Sequence, residues 1–69
     1  LQFHIKEANK MTAKPLSQLK LKKGVLIAAI IRKGKTIFPT GEDMLEVGDK
    51  LLVTTLLPNI TKIYDLIAR

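Results

Sequence analysis

One histidine, one serine and no cysteine occur in this 69-residue chain, so the groups that most often act as general base or nucleophile are almost missing. His4 alternates with Phe3 and Ile5 at the start of the chain. A general base needs its proton within about 3 Å, and no nucleophile is placed for His4 to activate. It reads as a solvent-facing strand residue. Ser17 has no base near it in sequence, and hydrogen bonding to the local backbone accounts for it equally well. With no acid–base pair and no activated nucleophile, the chain is not expected to be an enzyme.

Oxygen ligands are more plentiful. Glu42, Asp43, Glu46 and Asp49 fall within eight residues, and such clusters can hold divalent cations. The spacing does not match an EF-hand loop, which alternates acids and has Gly at its sixth place. Charge at the start of a short segment explains Glu42 and Asp43, and turn formation explains Asp49. No metal site is expected. Gly24, Gly34, Gly41 and Gly48 are too widely spaced for a dinucleotide fingerprint or a P-loop. Each reads as a turn residue.

The net charge of +6 is uneven: +8 over residues 1–40 and −2 over residues 41–69. Such an excess suits an anionic partner, whether nucleic acid, lipid headgroups or a phosphorylated small molecule; it suits a solvated basic face as well. Single-strand binders interleave cations with exposed aromatics. Here the aromatics are Phe3, Phe38 and Tyr64, and none sits within a basic run. Residues 58–68 carry Lys62 as their one cation, which fits a packing element better than a recognition helix. Nucleic acid is not an expected partner. What remains is Ile30, Ile31 and Arg32 ahead of a glycine turn, with Pro39 ending the return strand. Arginine is suited to bidentate phosphate contact, and apolar side chains beside it could sandwich a base. The same residues also make an ordinary core strand with a solvated turn, and residue types alone do not separate the two.

These residues must be positioned by a few short elements. Leu1 to Lys6 alternates apolar and polar, the mark of a half-buried strand. Pro15 is placed to start a short helical turn in which Leu16 and Leu19 share a face. Val25 to Ile31 is apolar throughout and rich in β-branched residues, which predicts a buried central strand. Arg32-Lys33-Gly34-Lys35 follows, where Gly34 can supply the positive φ of a tight hairpin with a bulge. Thr36 to Phe38 is the return strand, ended by Pro39. Turns at 40–43 and 47–49 lead into a strand over Lys50 to Thr55. Pro58 to Ala68 predicts a helix, with Ile60, Ile63 and Ile67 on one face and Arg69 suited to its C-terminal dipole. The expected fold class is α+β: a small mixed or antiparallel sheet with a short helical turn and a C-terminal helix.

Leu, Ile, Val and Phe supply 24 of the 69 residues, well above the level of disordered chains. One domain over residues 1–69 is expected. At this size only about 60% of the unfolded surface can be buried, and without disulfides or a thiolate metal site a second copy or a larger parent is the expected support. The longest apolar run has seven residues, against roughly 20 for a membrane span. With no signal peptide in view and no initiating Met, the chain reads as part of a longer cytoplasmic protein.

In order along the chain come a Leu-rich turn (Leu16-Ser17-Gln18-Leu19-Lys20-Leu21), an apolar strand ending Ile30-Ile31-Arg32, a glycine turn at Gly34, Pro39, and Gly48-Asp49 before a strand. This ordered set resembles the TrkA C-terminal domain, also called the RCK C-terminal domain, over nearly the whole chain. The resemblance implies a regulatory ligand-binding and dimerisation domain of a cytoplasmic subunit that controls potassium uptake. That subunit lies at the inner face of the cell membrane and docks on a membrane potassium transporter. It implies a homodimer. The family's nucleotide site belongs to a separate N-terminal domain, so no cofactor is implied within this one. In some members cyclic di-AMP binds between two copies at the Ile-x-Arg strand end, and the matching residues are Ile30, Ile31 and Arg32, with Pro39 nearby. A purely structural dimerisation domain without a small-molecule ligand is the other reading.

Overall fold

The computed structural model describes residues 1–68. Arg69, assigned above to the end of a helix, lies outside the described residues. Four strands form one sheet: Gln2–His4 (β1), Val25–Arg32 (β2), Lys35–Ile37 (β3) and Lys50–Thr55 (β4). Their spatial order is β1-β4-β2-β3, and every pairing is antiparallel. The two inner strands are the two segments richest in branched apolar residues, which suit a pleated and half-buried surface. Pairing of the first strand runs past β1, because Val53 N–H donates to Leu1 C=O at 2.8 Å and Ile5 N–H to Asp49 C=O at 2.9 Å.

The core lies on one face of this sheet. Ile27 and Ile30 of β2 and Leu51 and Val53 of β4 meet Ile5, Met11, Leu45, Ile60 and Leu66 from the connecting segments. A bulge in β2 makes this possible. Ile27 pairs with Val53 and Ile30 with Leu51, so three steps along β2 match two along β4. Strict alternation would send Ile27 and Ile30 to opposite faces. The extra residue at Ala28-Ala29 returns Ile30 to the core, where it is fully buried. Each such buried side chain contributes about 1.5–3 kcal/mol. Among the described residues no layer covers the opposite face of the sheet: Leu26 is 62% exposed, and Ile31 and Leu52 are half-buried. The apolar run 25–31 is therefore a central strand buried from one side only.

Arg32 pairs with Lys35, which leaves Lys33 and Gly34 as a two-residue loop. Both have positive φ, 51° and 78°, the signature of a type I′ hairpin turn, whose twist matches that of the strands. The hairpin is thus tighter than the bulged form expected, and the bulge sits in the β2–β4 pairing instead.

The expected C-terminal helix is not formed, and the α+β assignment is corrected with it. Among the described residues the helical structure is limited to 3-10 turns at Lys10–Thr12, Leu16–Gln18 and Ile63–Leu66. Three causes act over residues 58–68. Asn59 takes φ 67°, which breaks a right-handed helix at its start. The Asp65 carboxylate accepts hydrogen bonds from the N–H groups of Thr61 and Lys62, both at 2.9 Å. The backbone beyond then pairs with another segment, Lys22 N–H donating to Leu66 C=O at 2.8 Å and Ala68 N–H to Lys20 C=O. Ile60 and Leu66 reach the core without a helix. β-Branched residues at Ile60, Thr61, Ile63 and Ile67 add little to oppose this outcome. The short helical turn after Pro15 is present, as the Leu16–Gln18 turn.

Candidate functional site

Arg32 is the last residue of β2, and it follows Ile30 toward the core side of the sheet. All three of its guanidinium nitrogens have partners. Nε donates to Asp49 Oδ1 at 2.9 Å, and Nη2 donates to Asp49 Oδ2 at 2.8 Å and to the Met44 carbonyl at 2.9 Å. Nη1 lies 2.9 Å from Glu46 Oε2. This is the bidentate geometry in which arginine holds a carboxylate most firmly.

The partner is built by a tight turn. Asp49 N–H donates to Glu46 C=O at 3.0 Å, and Glu46 N–H donates back to Asp49 Oδ2 at 2.8 Å. Gly48, at the third place of this turn, has φ 96°, which L side chains rarely adopt. The Asp49 side chain is 1% exposed and that of Glu46 60%. Burial pushes the Asp49 carboxyl up. The Arg32 hydrogen bonds, the Glu46 N–H and the Arg32 charge outweigh it and hold Asp49 below the usual carboxylate range. The hydrogen bond to Asp49 raises the Arg32 pKa in turn.

The expected ligand residues are distributed over two faces. Ile30 is buried in the core, and its neighbour Ile31 points to the uncovered face opposite Thr36 and Lys50. Arg32 lies at the end of the strand with its side chain 25% exposed. Pro39 is half-buried just beyond β3, beside Phe38, which is 78% exposed. Adjacent strand residues face apart, so Ile30 and Ile31 are not brought together on one surface. Phe38 and the two acids that hold Arg32 carry no site role in the sequence reading. The one signal for Asp49 was its place after Gly48 and directly before a strand.

The remaining candidates separate. Glu46 and Asp49 are spent on Arg32, and Asp43 accepts from Thr40 N–H at 2.7 Å. Among the described residues no group of three or more His, Asp or Glu could hold a metal ion. His4 is exposed on β1 opposite Lys50. Ser17 N–H donates to Gly41 C=O at 2.9 Å, and a Cβ on Gly41 would lie 3.1 Å from the Ser17 Cβ. That close approach seats the 41–44 loop on the Leu16–Gln18 turn.

A family model described as the TrkA-C domain matches residues 1–68. The chain is 29% identical over 56 residues to the Trk system potassium uptake protein TrkA homolog 1 of Methanosarcina mazei. It is 27% identical over 56 residues to TrkA homolog 2 of the same organism. Each alignment covers 81% of this chain and 12% of the relative, so the chain spans about an eighth of the length of these curated relatives.

Proposed function

The chain belongs to the TrkA-C domain family, and on that premise we propose that it is the regulatory ligand-binding and dimerisation module of a subunit controlling potassium uptake. The printed names of both relatives, potassium uptake proteins, support that system. The parent subunit works in the cytoplasm against the inner face of the membrane and docks on a potassium transporter. No helix among the described residues is long and apolar enough to cross a membrane.

One observation carries the dimer. The uncovered face of the sheet presents Leu26, Ile31 and Leu52 from its two central strands, with no layer of the described residues over them. A second copy laid on this face removes that apolar area from water, the main favourable term in association. Cyclic di-AMP then binds between the copies at the end of β2, its base against Ile31 and Pro39 and its phosphate reaching round the strand end to the exposed part of Arg32, with Ile30 in the core layer behind. The exposed Glu46 is the partner that a phosphate displaces from Nη1, while the buried Asp49 keeps its hold. Ligand thereby loosens the 44–46 segment from Arg32 and favours one arrangement of the two copies over another.

Sedimentation equilibrium with calorimetric titration tests this. The chain is expected to be dimeric at about 100 μM, Leu26→Asp to shift it to monomer, and cyclic di-AMP to bind the dimer at least tenfold more tightly than the variant. A monomer under all conditions removes the dimer. The engagement of all three Arg32 guanidinium nitrogens within the chain favours a second reading, dimerisation without a ligand. A Leu26-dependent dimer that takes up no cyclic di-AMP selects it.

A further inference from the structure

A second concave surface lies far along the chain from Arg32, where the Ala8–Lys10 loop faces the terminal 3-10 turn. It encloses about 1080 Å³, with Lys10 and Lys22 on its walls and Tyr64 and Ile67 supplying apolar surface. Beyond Ile67 and Ala68 a smaller hollow of about 260 Å³ continues it, flanked by Lys14 and Lys20. Lys10, Lys14, Lys20 and Lys22 thus line the two adjoining hollows. Among the described residues no carboxylate lies within 4.0 Å of any of them, the ion pairs found being those of Arg32. Asp65 is the one acid lining the cleft, and its Oδ2 is already taken by the N–H groups of Thr61 and Lys62 and by the Thr61 hydroxyl.

The backbone that carries these lysines is fixed. Lys10 opens a 3-10 turn whose Asn9 cap accepts from Met11 N–H at 2.7 Å. Lys22 is tied to the terminal segment through its own N–H and to Val25 N–H through its carbonyl. The Lys22 charge helps to hold the Asp65 carboxyl down, but none of the four lysines closes an ion pair among the described residues, and cations carried on fixed backbone favour an anion. A half-exposed aromatic ring beside them adds a stacking surface. Tyr64 is 53% exposed, two positions before the fully buried Leu66.

We propose that this cleft binds a small phosphate-bearing molecule with an aromatic body, its phosphate between Lys10 and Lys22 and its ring against Tyr64 and Ile67. The site is separate from the sheet face and from Arg32, so it stands or falls independently of the function proposed above.

The test is an amide NMR titration of the chain with phenyl phosphate, and with inorganic phosphate for comparison. Phenyl phosphate is expected to move the amides of Lys10, Lys22, Tyr64 and Ile67 saturably, and to bind at least fivefold more tightly than inorganic phosphate. The double variant Lys10→Gln/Lys22→Gln should lose at least tenfold in affinity, while Lys33→Gln/Lys35→Gln at the hairpin tip should retain it. Tyr64→Leu should erase the advantage of the ring. The spectrum of each variant reports its own folding, and the lysines replaced make no ion pair among the described residues. Shifts spread over all surface lysines, or equal binding by the double variant, overturn the proposal. So does binding of a DNA duplex or anionic vesicles through these lysines with no response to phenyl phosphate, which would assign the patch to a macromolecule instead.

Discussion

Arg32 and Asp49, 17 positions apart, meet through two parallel hydrogen bonds of 2.9 and 2.8 Å that tie the end of β2 to the residue before β4. The pair closes the 41–49 loop against the sheet, and the Met44 carbonyl joins the same guanidinium. Asp49 is the one buried charged side chain among the described residues. A charge in that position is tolerated only when it is paired and hydrogen-bonded.

Removing the cation should therefore cost more than a surface contact. Arg32→Ala leaves a buried carboxylate without its partner, and a loss of about 3 kcal/mol is expected. In a chain of this size the thermal midpoint should fall by more than about 10 °C. Glu46→Gln, at an exposed position, should change stability by less than about 1 kcal/mol. Urea unfolding of the two variants checks both, and a small effect at Arg32 would show that the pair does not hold the loop.

Stability should also fall in acid. Asp49 titrates below its unfolded value, so its contribution is present above about pH 4 and is lost as pH drops through the lower, folded pKa. Asp65, held down by the N–H groups of Thr61 and Lys62, acts in the same direction. Thermal midpoints between pH 7 and pH 2.5 should decline more steeply in the wild type than in Asp49→Asn. Parallel curves would remove Asp49 as the source.

The hairpin offers a gain. Lys33 has φ 51° in the first of two left-handed positions, a conformation that costs most L residues about 1 kcal/mol and asparagine less. Lys33→Asn should raise stability by about 0.5 kcal/mol with no change in fold. An unchanged or lower urea midpoint would count against the type I′ assignment.

Core and uncovered face should respond differently in the monomer. Leu51→Ala removes a fully buried side chain and should cost about 2–5 kcal/mol. Leu26→Ala, on the other face of the sheet, should cost less than about 0.5 kcal/mol at concentrations too low for association. A large loss at Leu26 there would show that the face is covered within one chain.

Four strands were legible because their information is local, the first of them in the apolar–polar alternation of Leu1 to Lys6. Residues 25–32 and 50–55 carry continuous branched apolar runs, and Lys33-Gly34 between apolar segments is itself a hairpin signal. The ordered turn, strand, glycine and Gly-Asp pattern was enough to identify the family. The site was legible by residue type only. Ile30, Ile31 and Arg32 are adjacent in sequence, but a strand sends neighbours to opposite faces, and a bulge at Ala28-Ala29 decides which of them enters the core. Arg32 reads as a free phosphate ligand until the 44–49 turn brings Asp49, Glu46 and the Met44 carbonyl to it.

The chain ending shows the division most clearly. Ile60, Ile63 and Ile67 have helical spacing, and Asn59 and Asp65 oppose a helix after Pro58 only through the conformation they take in the fold. The outcome depends on partners brought from elsewhere: Lys20 and Lys22 supply the backbone groups that bond Ala68 and Leu66. A helix of this length is marginal by itself, so a modest number of tertiary hydrogen bonds and buried contacts is enough to replace it. Local periodicity and turn chemistry determined which segments are strands and where the hairpin turns. Tertiary contact decided the bulge, the buried Arg32–Asp49 pair, the one-sided core and the fate of the last eleven described residues, because each of these depends on groups distant in sequence meeting in a low-dielectric interior.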